Sequence, residues 1–215
     1  MNVKALLKDT AIYGLSSIIG RFLNYLLVPL YTYKIAAESG GYGIVTNLYA
    51  YSALLLALLT FGMETTFFRF SGKADNNPDK VYSSALIMVG SVSLIFLALV
   101  FTFLRPISTA MGYAAHPEYI GCFALIAAMD AVQAIMFSRL RQQRRPFRFM
   151  ALKLSYIVLN IGLNLFIFLL MPKIPALLPV FQRFDGGVGL IFFANLLLSF
   201  INSKKVICSK PKFIY

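Results

Sequence analysis

Apolar residues gather in six long blocks separated by short links. The blocks cover about Thr10–Tyr33, Tyr42–Met63, Tyr82–Leu104, Tyr119–Ser138, Phe149–Met171 and Gly187–Asn202. A bilayer core of about 30 Å needs about 20 apolar helical residues at 1.5 Å rise each, so every block predicts a spanning helix, the last one short. The links carry turn signals: Ser39-Gly40-Gly41, Asn76-Asn77-Pro78, Arg105-Pro106, His116-Pro117, Arg145-Pro146, Pro172 with Pro175 and Pro179, and Gly186-Gly187. Such short links make successive helices antiparallel neighbours. The expected fold is an all-α integral membrane bundle of six transmembrane helices over residues 1–202, with a short basic tail at 203–215. Pro29 lies inside the first block, where its missing backbone donor predicts a kink.

Polar residues inside these blocks stand out against the apolar pattern. Arg21 falls near the middle of the first, where a charge costs about 2.5–3.5 kcal/mol on insertion scales. At helical spacing it shares a stripe with Gly14, Ser17, Asn24, Tyr25 and Val28, so this face is expected to meet protein or water. Asp130 sits mid-block in the fourth, with Gln133 and Phe137 on its face. The fifth block aligns Tyr156, Asn160 and Asn164, the sixth Asn195, Ser199 and Asn202, and the second carries Thr46, Asn47 and Tyr51. The third offers only small hydroxyls such as Ser91, Ser93 and Thr102.

Composition agrees with a membrane protein: 59% of residues are hydrophobic, 13% are charged and mean hydropathy is +0.75. The net charge of +12 would point to nucleic acid in a soluble chain. Here the basic residues alternate across the links instead. Lys4 and Lys8, then Arg69, Lys73 and Lys80, then Arg139 to Lys153, then Lys204 to Lys212 make fifteen on one side. Lys34, Arg105, Lys173 and Arg183 make four on the other, which predicts cytoplasmic termini. The Lys4/Lys8 start resembles a signal peptide, but the apolar run is long and contains Arg21, so it reads as a retained span.

Candidate enzyme chemistry is sparse. The single histidine, His116, lies in a link, no paired histidines offer a metal site and no Gly-rich loop suggests a nucleotide, so neither an enzyme nor a cofactor is expected. Cys122 and Cys208 read as unpaired thiols. Each intramembrane polar group has two readings. The asparagines suit interhelical hydrogen bonding, Arg21 and Asp130 suit a buried ion pair, and Glu64 with Arg69 suits a helix-end pair. The Arg139–Arg148 cluster suits topology and lipid headgroups. Functionally, a guanidinium in a partly hydrated cavity suits phosphate or diphosphate, with Ser17, Asn24 and Tyr25 beside it. Asp130 then suits a proton or sodium site, or a charge partner.

Three segments carry a family resemblance: LKDTAIYGLSSIIGRFLNYLLVPLYTY, YGIVTNLYAYSALLLALLTFGMETTFFRF and GVGLIFFANLLLSFI. From about Leu7 to Asn202 the chain resembles the polysaccharide transporter family, the Wzx-type O-antigen and oligosaccharide flippases, within the superfamily of multidrug extrusion transporters and the lipid II flippase. The resemblance implies two helical lobes about a pseudo-twofold axis, enclosing a cationic cavity that moves undecaprenyl-diphosphate-linked oligosaccharide by alternating access. It implies that Arg21 is a cavity residue and that Glu64 and Arg69 belong to a family helix-end run. The family has about twice as many spans, so this chain reads as its amino-terminal lobe, a truncated or frameshifted product, or one half of a homodimer.

The expected partners follow: the lipid-linked oligosaccharide, membrane lipids, a polysaccharide polymerase or glycosyltransferase, and a second lobe or second copy, with no nucleic acid. The expected location is the bacterial inner membrane, multi-pass. Two other functions fit the residues: a non-transporting or degenerate lobe that binds a partner, and a multidrug or ion antiporter. The antiporter predicts that acidic cavity residues dominate over Arg21.

Overall fold

The computed structural model describes residues 3–35, 41–73, 77–174, 179 and 188–208. The side chains of residues 3–10, 16, 21, 24, 41 and 206–208 fall outside that description, as do the turns expected at Ser39-Gly40, Asn76, Pro175 and Gly186-Gly187 and the tail beyond Cys208.

The described chain is all helix and turn: α1 Val3–Tyr25, α2 Leu27–Lys34, α3 Gly41–Thr60, α4 Met63–Ser71, α5 Pro78–Thr102, α6 Leu104–Ala110, α7 Pro117–Gln142, α8 Pro146–Leu165 and α9 Val188–Cys208. Five of the described helical segments are long and apolar enough to cross a membrane: Tyr42–Thr60, Pro78–Thr102, Pro117–Gln142, Pro146–Lys173 and Val188–Lys205. The first expected span is divided, as its proline suggests: α1 ends at Tyr25, Leu26 interrupts the helix and α2 begins at Leu27. Pro29 supplies the reason, because its missing N–H leaves the carbonyl of Tyr25, four residues earlier, without its helical donor.

Proline also sets where helices begin. Pro78, Pro117 and Pro146 each occupy the first helical position, where an absent N–H is harmless and φ is already helical. Before α5, Asn77 Oδ1 accepts from the Asp79 backbone N–H at 2.9 Å, a side-chain cap. The expected second span ends earlier than Met63: Phe61 and Gly62 adopt φ of 46° and 65°, and this left-handed pair starts α4 in a new direction. The expected Arg105-Pro106 turn is instead the short helix α6. After Leu165 the helix loosens into a π-helical stretch, Phe166–Leu170, and ends in a tight turn at Met171–Lys173 that contains Pro172.

At the centre lies α7, the most buried span. Its small residues Gly121, Ala124, Ala127, Ala128 and Ala131 let α3, α5 and α9 approach closely. The main core gathers Leu48 of α3, Phe123 of α7, Phe168 after α8 and Ile191 and Phe192 of α9. On the outside, α5 exposes Ile87, Leu94, Ile95 and Leu99, an apolar outer face suited to hydrocarbon. Along the edge, α1 packs on α8. A Cβ on Gly20 would come within 2.6 Å of Ile157 Cδ1, and the Tyr13 and Phe149 rings meet edge-on at 5.1 Å.

Candidate functional site

Five helices wall a cavity of about 250 Å³ in the apolar part of the bundle. Leu27 and Tyr31 come from α2, Tyr42, Val45, Thr46 and Tyr49 from α3, and Ile126 and Asp130 from α7. Tyr156 and Asn160 of α8 and Ile191 and Asn195 of α9 complete it. Asp130 lies midway along α7, so the cavity sits at the depth where a carboxylate is most costly to leave in hydrocarbon. Among the described residues no lysine or arginine lines this space. A second hollow of about 380 Å³, near Tyr51, Leu54, Phe96, Ile107 and Phe123, is almost wholly apolar.

Two chains of hydrogen bonds run through the buried helix contacts to the polar cavity. In the first, Asn164 Nδ2 donates to Asn160 Oδ1, and Asn160 Nδ2 donates to Asn195 Oδ1 at 3.0 Å. Asn195 Nδ2 then donates to the Tyr49 hydroxyl at 2.7 Å. In the second, Asn202 Nδ2 donates to Gln133 Oε1 at 2.7 Å and Gln133 Nε2 donates to the Ser199 carbonyl at 3.2 Å. The Ser199 hydroxyl donates to Asp130 Oδ1 at 3.3 Å. Asn195 and Ser199 are one turn apart on α9, so both chains pass through a single helix face. Rings fix the Tyr49 end: its plane lies 11° from that of Phe192 at 6.0 Å, and it meets Phe123 edge-on. Asn160, Asn195 and Asn202 therefore make the interhelical bonds their positions suggest, whereas Asn164 bonds to Asn160 within α8, and the first chain also orients Tyr49 on the cavity wall.

The residues expected beside Arg21 are dispersed. Tyr25 is 70% exposed and does not line the cavity. Ser17 is half-buried on the α8 side, where Lys153 Nζ donates to its hydroxyl at 3.5 Å. Arg21 and Asn24 are on α1, but their side chains lie outside the described residues, and so does the expected Arg21–Asp130 pair. Glu64 does not pair with Arg69. It accepts from Arg141 at 2.8 Å and from the Ser138 hydroxyl at 3.1 Å, because α4 turns at Gly62 and lays its first turn against α7. Arg139, two residues away, pairs with Asp79 at 2.6 Å and covers the Tyr82 ring. Arg69 itself is exposed.

The other titratable residues have local roles. His116 precedes α7, contacts Glu118 at 3.0 Å and stacks on Tyr119. Cys122 is a free thiol, while the Cys208 side chain is outside the described residues. No cluster of three or more metal-type ligands occurs among the described residues.

The tyrosines Tyr31, Tyr42 and Tyr49 are the cavity residues that periodicity does not single out as a group. The available signal is their spacing: Tyr42 and Tyr49 are seven residues apart, two helical turns on one face, with Thr46 between them.

No family model, curated protein or solved structure matches the chain. The fold and cavity define its class: a multi-span, all-α membrane protein of transporter-like architecture.

Proposed function

We propose that the chain is a lobe of a carrier that moves lipid-linked oligosaccharide across a membrane. The carrying observation is the polar cavity at mid-membrane depth, with Asp130 and Tyr49 presented by buried hydrogen-bond chains. Groups of this kind are expensive in hydrocarbon unless something polar uses them. The resemblance of the Leu7–Asn202 region to oligosaccharide flippases supports the substrate class. In this reading Arg21 on α1 meets the diphosphate linkage, while the cavity meets the sugar. A second lobe, or a second copy, faces the first and completes the path.

The test is flipping of a fluorescent short-chain polyprenyl-diphosphate oligosaccharide in proteoliposomes holding the full chain. Leaflet exchange above protein-free vesicles that falls at least tenfold in Arg21→Ala and in Asp130→Asn supports the reading. Exchange that both substitutions leave unchanged overturns it.

One observation favours a second reading, a cation-coupled antiporter: an acidic side chain, Asp130, lines the cavity midway along α7. In that case a proton or sodium gradient drives uptake of an organic cation, and oligosaccharide exchange is absent.

A further inference from the structure

The polar cavity can be read for the chemistry of what it holds. Both carboxamides on its wall are already engaged. Asn160 accepts through Oδ1 from Asn164 and donates through Nδ2 to Asn195, which in turn donates to Tyr49. Each amide keeps one N–H that these bonds do not use. Their effect falls on Tyr49: its oxygen accepts from Asn195, so its own O–H remains to donate. Across the cavity Asp130 accepts one bond from Ser199 through Oδ1 and keeps its other oxygen for a donor. Thr46 donates to the Tyr42 carbonyl at 2.7 Å, which leaves its hydroxyl oxygen as an acceptor.

A donor, a carboxylate acceptor and a hydroxyl acceptor among tyrosine rings make a wall for groups that donate and accept at once. Phosphate and diphosphate offer acceptors only, and they would meet the Asp130 charge on the wall. A sugar hydroxyl does both, and sugar ring C–H faces pack on tyrosine. The volume of about 250 Å³ lies just below the usual range of ligand pockets, about 300–1,000 Å³, and so suits one ring.

We infer that this cavity binds a single uncharged sugar ring, through the Tyr49 hydroxyl and the Asp130 carboxylate, and not the anionic linkage of a lipid carrier. The inference rests on the proposed carrier function for its biological meaning, but its binding test is separate from flipping.

The experiment is saturation-transfer NMR on the full chain in detergent micelles with four probes: glucose, N-acetylglucosamine, inorganic diphosphate and choline. Transfer to a neutral sugar is expected, with none to diphosphate or choline. Asp130→Leu keeps the branched shape of the side chain without a donor or acceptor and Tyr49→Phe keeps the ring, and each is expected to weaken sugar binding about tenfold, the effect of one lost hydrogen bond to a ligand hydroxyl. Unchanged sugar binding in both variants overturns the inference, and so does binding of diphosphate or choline alone. Sugar binding together with lipid exchange that Arg21→Ala and Asp130→Asn leave unchanged upholds this inference and removes the carrier function. Flipping without neutral-sugar binding does the reverse.

Discussion

Asn160 is the middle link of the buried amide chain, and its loss would strand groups on two helices. In Asn160→Leu the Asn195 Oδ1 loses its donor, and Asn164 Nδ2 keeps only the Asn160 backbone carbonyl at 2.8 Å. Interhelical hydrogen bonds in membranes average about 0.6 kcal/mol and reach about 1.7, so a loss of about 1 kcal/mol is expected in equilibrium unfolding in mixed micelles. The Glu64–Arg141 contact belongs to a different class. Its two side chains are 33% and 37% exposed, so water screens it, and a Glu64→Gln/Arg141→Gln double-mutant cycle should give a coupling of about 0.2–1 kcal/mol that shrinks in high salt. Individual polar residues are the least legible part of the sequence. Helical period puts Ser17 and Tyr25 on the stripe of Arg21 within α1, but the packing around that helix separates them: Tyr25 is exposed and Lys153 of α8 takes up Ser17. Asp130 is legible because its charge alone marks it.

Among the elements, the α3–α4 corner and the α1–α8 edge are the joints that substitution should expose. Gly62 has φ of 65°, where a Cβ costs about 1–2 kcal/mol, so Gly62→Ala is expected to lower stability by about that much with no change in the spans. At Gly20 an added methyl meets the tip of Ile157. Gly20→Ala should therefore cost about 1 kcal/mol, and Ile157→Val in the same chain should recover most of it, measured in the same micelle unfolding assay. Element type and approximate limits are legible for the second to sixth apolar blocks, since length and hydropathy leave few alternatives. The amphipathic helix α4 is hidden within the continuous run after Tyr42, because only the backbone geometry at Phe61 and Gly62 separates it from α3.

For the whole molecule, the five described spans fix which links share a side. Lys73 and Arg144 are separated by α5 and α7, and Arg105 and Lys173 fall at the opposite ends of these helices and of α8. In a chain with Cys122→Ser and Cys208→Ser, single cysteines at 73 and 144 should be labelled by an impermeant thiol reagent from one side, and those at 105 and 173 from the other. The fold class is legible because a bilayer admits few alternatives for so apolar a chain. The cavity is not, since it arises only where five helices meet.

A polar binding site inside the membrane must be reached by water, and the cavity can be tested for that directly. Thr46 lines it, whereas Leu94 is 68% exposed on the outer apolar face of α5. The direct measurement is the rate at which a small charged thiol reagent modifies Thr46→Cys and Leu94→Cys in the cysteine-free chain in native membranes, with and without glucose or N-acetylglucosamine. Rapid modification of Thr46→Cys that slows in neutral sugar is expected, with slow, sugar-independent modification of Leu94→Cys. Equal, slow modification of both positions would contradict it.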